Sequence, residues 1–407
     1  MGTGFDDREL ARLGRLLAPR QRPTSPFSGR QPERTAVFVE PDLVAEVEFT
    51  EWTSQDMLRH PSYKGLRDDK HPLDVVLERA EEPTATPAGP GSGSSVAPAL
   101  QALVGPDQPL RGSVEVEVDG HRLRLTNLDK VLYPKAGFTK AQVIDYYLRV
   151  GPVLVPHVRD RLLSLHRYPD GVEGVRFWEK RCPDRRPDWL GTASMWSEGK
   201  GEEIDFCVAD SIAAIVWLAN FAAIEMHPSL ALSADVERPT VVAFDLDPGD
   251  GVGIVECCEV ALLVRGMLDE LGLESFAKTS GSKGVQVYLP LGAGAHYDQT
   301  KPFAKGLAEA LERAYPKLVV SRMAKSARGG RVLVDWSQNT AHKSTVAPYS
   351  LRARERPTVS MPVRWEEVEA RDPEALVFES ELALERIEAR GDLFAPVLTL
   401  QQELPRF

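Results

Sequence analysis

Residues 81–110 (EEPTATPAGPGSGSSVAPALQALVGPDQPL) hold six Pro and four Gly and no Lys or Arg. That composition favours a solvated linker, because proline lacks a backbone donor and glycine is costly to order. A linker there divides the 407 residues into a front piece over 1–80 and a main domain over 111–407. At roughly 150 residues per domain, the length already excludes one small module. The front piece alternates in a strand-like way over 43–53 (LVAEVEFTEWT), and 65–70 (GLRDDK) follows as a charged loop. It is a small β-rich piece, close to the size at which a separate domain becomes marginal.

The main domain alternates short strands with helices. Thr139 can cap a helix over 141–150, and 211–226 reads as one buried helix because almost every face is apolar. Three strands follow, at 241–247 (VVAFDLD), 285–291 (VQVYLPL) and 331–336 (RVLVDW), separated by helices at about 252–272 and 300–314. The expected class is α+β, a mixed α/β domain without internal repeats. With 43% hydrophobic and 27% charged residues, a sizeable core can form.

Asp245 and Asp247 close the apolar run VVAF two residues apart, so in a strand both project to one face. Asp335 ends a second apolar run. Three converging carboxylates suit hard divalent cations, although aspartates also cap strand ends and turns. Residues 280–284 (SGSKG) precede a strand and offer amides, hydroxyls and one ammonium, enough to hold phosphate oxygens, or else form a plain turn. The Walker spacing is absent. Residues 322–356 carry eight Lys or Arg against only Asp335 and Glu355. Lys130, Lys135 and Lys140 form a second basic set, and Phe177 with Trp178 offers either a stacking surface or core packing. His227 can contact phosphate or cap a helix end.

The whole chain is acidic, with 49 Lys plus Arg against 60 Asp plus Glu and a net charge of −11, which excludes a polycation that coats nucleic acid. Cys182, Cys207, Cys257 and Cys258 show no CxxC pattern, so neither a disulfide framework nor a zinc site is expected. Residues 212–226 fall short of the roughly 20 apolar residues a membrane span needs, and the first ten residues lack a secretory pattern. A cytoplasmic protein in a reducing compartment is expected, with no membrane partner; nucleoid association is implied only by the resemblance that follows.

Together the segments 125–134 (LTNLDKVLYP), 167–171 (RYPDG), 177–180 (FWEK), 217–220 (WLAN), 225–228 (EMHP), 244–249 (FDLDPG), 279–284 (TSGSKG), 334–339 (VDWSQN) and 349–353 (YSLRA) resemble the polymerase domain of bacterial DNA ligase D. That family belongs to the archaeo-eukaryotic primase superfamily and serves non-homologous end joining. The resemblance implies a primase-polymerase fold with a mixed β-sheet catalytic core and template-directed transfer of NTPs or dNTPs at gaps and ends. It implies two Mg²⁺ or Mn²⁺ ions on Asp245, Asp247 and Asp335. It implies nucleotide contacts at His227, Ser280, Lys283, Gln286, Gln338 and Arg352, a DNA 5′-phosphate pocket at Asn127, Lys130 and Lys140, and template stacking on Phe177 and Trp178. Gapped or broken DNA, a Ku-like end-binding protein and a separate ATP-dependent ligase are the implied partners. The family usually has histidine where this chain has Gln286. Glutamine cannot carry a proton or charge, so weaker triphosphate binding is expected.

Residues 49–53 (FTEWT) and 60–70 (HPSYKGLRDDK) are similar to the last part of the OB-fold in the ATP-dependent ligase module of the same family. The adenylating KxDG motif occurs nowhere in the chain, so ligase activity is not expected. Since that match starts near Met1, either a gene remnant or a start assigned too late is expected. Two rival readings stand beside the polymerase: an end-binding module with a weakened catalytic site, and a dinucleotide oxidoreductase on Gly249, Gly251 and Gly253, whose spacing misses GxGxxG.

Overall fold

The computed structural model describes residues 7–26, 37–48, 51–52, 58–59, 62–67, 97–105, 108–197 and 202–405. The chain forms two compact units, Met1–Gly93 and Ser94–Phe407. In the first, α1 (Asp7–Leu17) precedes three short antiparallel pairs: β1 (Gln21–Arg22) with β2 (Phe38–Val39), β3 (Val44–Glu48) with β6 (Ser62–Arg67), and β4 (Glu51–Trp52) with β5 (Leu58–Arg59). Residues 65–67, expected as a loop, continue β6, where the pairing with β3 shifts register between Glu46 and Val47. Residues 68–70 of that loop lie outside the described residues.

The second unit opens with α2 (Pro98–Val104), inside the stretch expected to be linker. Its apolar residues override the proline and glycine around it. Leu100 is fully buried, and the Ala99 and Leu100 amides donate to Asp145 Oδ1 at 2.7 and 2.9 Å, filling donors that a helix start leaves open. The hairpin of β7 (Ser113–Val118) and β8 (His121–Thr126) follows, then β9 (Val131–Tyr133) against β10 (Phe138–Thr139). Helix α3 (Lys140–Val158) starts on a capping box in which Thr139 Oγ1 accepts from the Gln142 amide and Gln142 Oε1 accepts from the Thr139 amide. Such a cap contributes about 1 kcal/mol.

A five-stranded sheet combines β11 (Leu163–Arg167), β12 (Phe177–Glu179), β13 (Gly191–Ser197), β14 (Glu202–Val208) and β15 (Ala223–Pro228), with α4 (Ile212–Asn220) before β15. The single helix expected over 211–226 is thus a helix and then a strand. Periodicity cannot separate two consecutive buried apolar runs. The break falls at Ala222, whose φ of 61° turns the chain. Cys182 and Cys207 form a disulfide, against expectation. The Cys182 amide donates to Asp205 O at 2.7 Å, which lays the segment after β12 beside β14, a contact that a separation of 25 residues does not advertise.

The second sheet has the order β19–β20–β16–β18–β17–β21, built from β16 (Val241–Pro248), β17 (Phe276–Thr279), β18 (Val285–Pro290), β19 (Val319–Val320), β20 (Val332–Asp335) and β21 (Pro362–Val363). Every pairing is antiparallel except β19 with β20. Helices α5 (Ile254–Glu270) and α6 (Tyr297–Ala314) bury Val260, Val264, Ala304 and Leu311 in the core that holds Val242, Phe244 and Leu246 of β16. Helices α7 (Trp365–Ala370), α8 (Ser380–Arg390) and α9 (Pro396–Thr399) complete a mixed α+β unit, as expected.

Fully buried Asn339 clamps β16 just past the end of β20. Its Oδ1 accepts from the Ala243 amide at 2.9 Å, and its Nδ2 donates to Ala243 O at 2.8 Å and Trp336 O at 2.9 Å. Asn339→Ala strands buried backbone groups and should lower stability by about 2–3 kcal/mol. Urea denaturation checks this, and an unchanged midpoint would show that β16 does not depend on the clamp.

Candidate active site

The pairing of β16 with β20 sets Asp245 directly opposite Asp335, while Asp247 lies two residues along β16 on the same face. Residues directly opposite in an antiparallel pair have Cβ atoms about 4.5–5.5 Å apart, so the three predicted acids share one small region. Asp335 is held in place: Oδ1 accepts from the Ser337 amide at 2.8 Å and from Ser337 Oγ at 2.6 Å, and Oδ2 accepts from Gln338 Nε2 at 3.0 Å. Burial and the neighbouring Asp247 push the Asp245 carboxyl up to about 7. Burial and Asp335 raise Asp247 as well. Hard oxygen donors crowded with uncompensated negative charge fit a divalent cation.

Behind Asp245 the sheet continues the same row. Gln286 of β18 stands opposite Asp245, and Lys278 of β17 stands opposite Gln286. Lys278 is fully buried and Gln286 is 3% exposed. Lys278 Nζ donates to Gln286 Oε1 and, at 2.7 Å, to Ser360 Oγ. Burial drives the Lys278 amine well below its usual value, with Asp245 opposing. The amide expected at a triphosphate is therefore engaged inside the sheet. Lys278 was not singled out from sequence, and its one signal is a lysine inside the strand run FAKT.

The loop 280–284 packs against the end of β16. Ser280 Oγ accepts from the Ser282 and Gly284 amides at 3.3 and 3.1 Å. A Cβ at Gly284 would lie 2.1 Å from Leu246 O, so only glycine permits this approach. Lys283 is exposed. Arg352 Nη1 donates to Ser280 O, and its Nε lies 3.2 Å from Glu225 Oε1.

Glu225, quoted within a motif but given no role from sequence, is the hub of the neighbouring cluster. Its Oε2 lies 2.9 Å from His227 Nε2 and 3.1 Å from His166 Nδ1, and Oε1 accepts from the Ala353 amide at 2.9 Å. Burial alone would raise the Glu225 carboxyl, but His166, His227 and Arg352 hold it well below the usual range. Burial lowers His227 to about 4. The spacing of two between Glu225 and His227 signals this arrangement once β15 is known to be a strand. Ligand atoms of His166, Glu225 and His227 lie within 4.8 Å of one another. Both Glu225 oxygens are already engaged, however, and the Arg352 guanidinium would repel a cation, so the cluster acts as a hydrogen-bond hub. Trp178 meets His166 and His227 edge-on, with ring centroids 3.8 and 4.9 Å apart. Phe177 and Trp178 are 43% and 46% exposed, a surface rather than a core pair.

Lys130 and Lys140 come together where the Lys140 amide donates to Lys130 O at 2.8 Å. Lys140 is buried, contacts Thr126 Oγ1 at 3.4 Å and is lowered to about 8 by burial and Lys130. It also occupies the first position of α3, where a helix end favours anions. Asn127 is exposed nearby in sequence with φ of 53°, and Lys130 Nζ pairs with Asp170 at 2.8 Å.

An aspartate row on a mixed sheet, beside a glycine loop and basic side chains, is an arrangement suited to metal-assisted nucleotidyl transfer. The family model described as the LigD primase-polymerase domain matches residues 139–394, and the chain belongs to that family. A second model, the C-terminal region of ATP-dependent DNA ligase, matches residues 1–70. The multifunctional non-homologous end joining protein LigD of Mycolicibacterium smegmatis is 42% identical over 278 residues, covering 68% of this chain and 36% of that one. The LigD protein of Pseudomonas aeruginosa is 29% identical over 91% of this chain and 42% of its own length. The chain thus spans well under half of these relatives. A solved structure of the polymerase domain of Mycobacterium tuberculosis ligase D in complex with DNA is similar at a TM-score of 0.65 and 37% identity, covering 69% of this chain and 99% of that one. No described helix is long and apolar enough to cross a membrane.

The raised Asp245 value has a pH signature. Without metal the folded protein retains a proton that the unfolded chain releases, so this contribution to stability is full below pH 3.8 and lost as pH rises through about 7. Metal binding needs the ionised form, so Mn²⁺ affinity should rise about tenfold per pH unit below 7 and level off above. Calorimetric titrations between pH 6 and 8 check this. A flat profile would contradict it.

Proposed function

We propose that the second unit is a template-directed nucleotidyltransferase that fills short gaps or extends broken DNA ends in non-homologous end joining. The observation that carries this reading is the register of β16 with β20, which gathers Asp245, Asp247 and Asp335 in a LigD primase-polymerase domain. These three residues would hold two divalent ions, Mg²⁺ or Mn²⁺. Bound there, the ions would lower the pKa of a primer 3′-hydroxyl and offset the charge of a leaving pyrophosphate. The chain's own groups supply position and charge. Ser280, Lys283 and Arg352 hold the triphosphate, with Arg352 kept in place by Glu225. His227 and Gln338 complete the nucleotide pocket, and Phe177 with Trp178 meets the templating base.

Lys140, with Asn127 and Lys130, takes the 5′-phosphate across the gap, where an anion would relieve the burial of its ammonium. We read residues 1–80 as a segment akin to the ligase tail, joined to the polymerase through the proline- and glycine-rich stretch. A Ku-like protein and a separate ligase remain the partners we propose.

Extension of a gapped duplex bearing a 5′-phosphate tests the reading. Asp245→Ala and Asp335→Ala should each lower the rate by about a thousandfold or more, and an active Asp245→Ala would sink it. Lys140→Ala should leave extension of an unphosphorylated gap intact and remove most of the advantage of the 5′-phosphate, about tenfold for one charge-assisted contact. Equal preference in variant and parent would remove Lys140 from the pocket.

A further inference from the structure

One cross-strand row of the second sheet carries four polar side chains in order: Asp335 on β20, Asp245 on β16, Gln286 on β18 and Lys278 on β17. Each stands opposite the next, so all four project from the same face. The two at the rear, Gln286 and Lys278, are closed off from solvent. Buried polar groups of this kind persist only when each finds a partner. Here Lys278 Nζ donates to Gln286 Oε1, and Gln286 stands directly opposite Asp245 on the neighbouring strand.

We infer that Lys278 and Gln286 are positioning residues that set the orientation of Asp245 for metal binding. This rests on the reading of Asp245 as a metal ligand. A glutamine side chain has one end that accepts and one that donates. Lys278 offers only N–H groups toward it, which forces Gln286 Oε1 to the rear and its NH₂ forward. The polarity is fixed while the amine is protonated, since an ammonium donates and has no lone pair with which to accept. The forward NH₂ then occupies one side of the Asp245 carboxylate and leaves the rest toward Asp335 and Asp247. Ser360 anchors the far end: its Oγ accepts from Lys278 Nζ and donates to Thr279 O at 2.9 Å, which fixes the amine relative to β17. Partners behind a ligating carboxylate orient it, and their removal costs 10- to 100-fold in metal affinity as an order of magnitude.

The same geometry specifies which replacements work. Methionine at 278 or 286 matches the length and lacks the hydrogen bonds. Histidine at 286 is a substitute with one accepting and one donating nitrogen, so it can take the Lys278 bond and pass one to Asp245.

Direct Mn²⁺ binding to the full chain at fixed pH, read from the electron paramagnetic resonance signal of free Mn²⁺, tests the inference apart from activity. Lys278→Met and Gln286→Met should each weaken Mn²⁺ binding by about tenfold or more, while Gln286→His stays within about threefold of the parent. Asp245→Asn is the reference that loses the site. If Asp245→Asn loses Mn²⁺ while folded Lys278→Met and Gln286→Met bind it as the parent does, the positioning inference is wrong and the site reading stands. If Asp245→Asn binds Mn²⁺ like the parent, the site reading itself fails and takes the inference with it. Should Lys278→Met fail to fold, Gln286→Met decides, with circular dichroism confirming its fold.

Discussion

Two carboxylates held about 5 Å apart repel by roughly 3 kcal/mol at an effective dielectric of 20, and the second sheet gathers three of them. Nothing in the acids themselves favours this. The backbone ladder of β16 with β18 and β20 imposes it, together with a core in which Val242, Phe244 and Leu246 are fully sequestered. Asn339 ties both backbone groups of Ala243 just before the first acid. The sheet therefore does the electrostatic work in advance, and a divalent ion held at the proposed site would relieve a strain that already exists. Burial first, and the neighbouring carboxylates second, raise the carboxyls of Asp245 and Asp247.

The opposite charge arrives from elsewhere in the chain. Glu225 on β15 of the first sheet holds Arg352, which follows a segment anchored by buried tyrosines: Tyr146 donates to Tyr349 O at 2.7 Å, and the Tyr147 hydroxyl accepts from the Leu351 amide at 3.2 Å. Tyr349 adopts φ of 66°, a conformation that costs a non-glycine residue of order 1 kcal/mol, and its hydroxyl bonds Asp392 at 2.6 Å. Strain at Tyr349 and the hub at Glu225 together place Arg352 against the Ser280 carbonyl. The acids thus stand on one sheet, while the cation near them lies in a loop held by a carboxylate of the other sheet.

This division explains what was legible in the sequence. Asp245, Asp247 and Asp335 each close an apolar run, so their strands, their shared face and their chemistry follow from period-two alternation. Thr139 with Gln142 likewise announces the start of α3. The groups that were missed work across strands. Lys278 and Glu225 gain meaning only from their opposite partners, and so does the place of Gln286 beside Asp245; register is invisible without pairing. The misread 211–226 segment has the same origin: as a helix it hides the spacing of Glu225 and His227, and as a strand it aligns them. Cys182 with Cys207, and α2 within the proline- and glycine-rich stretch, are further cases in which a distant contact overrode local composition.

A chain of net charge −11 can still engage a polyanion, because charge acts locally. At physiological salt, interactions between exposed charges fade over about 8 Å, so acids on distant surfaces scarcely weigh on an approaching phosphate. What matters is the set within that radius. Around the proposed pocket this set is Lys140, already short of solvent, with Lys130 beside it and the first turn of α3 beneath. Around the aspartates, Arg328 and Arg352 are the cations that act on Asp247. The acidic total therefore does not oppose the proposed binding. It confines binding to the few surfaces where cations are concentrated, which is what distinguishes a protein that recognises a gap or an end from one that coats a duplex.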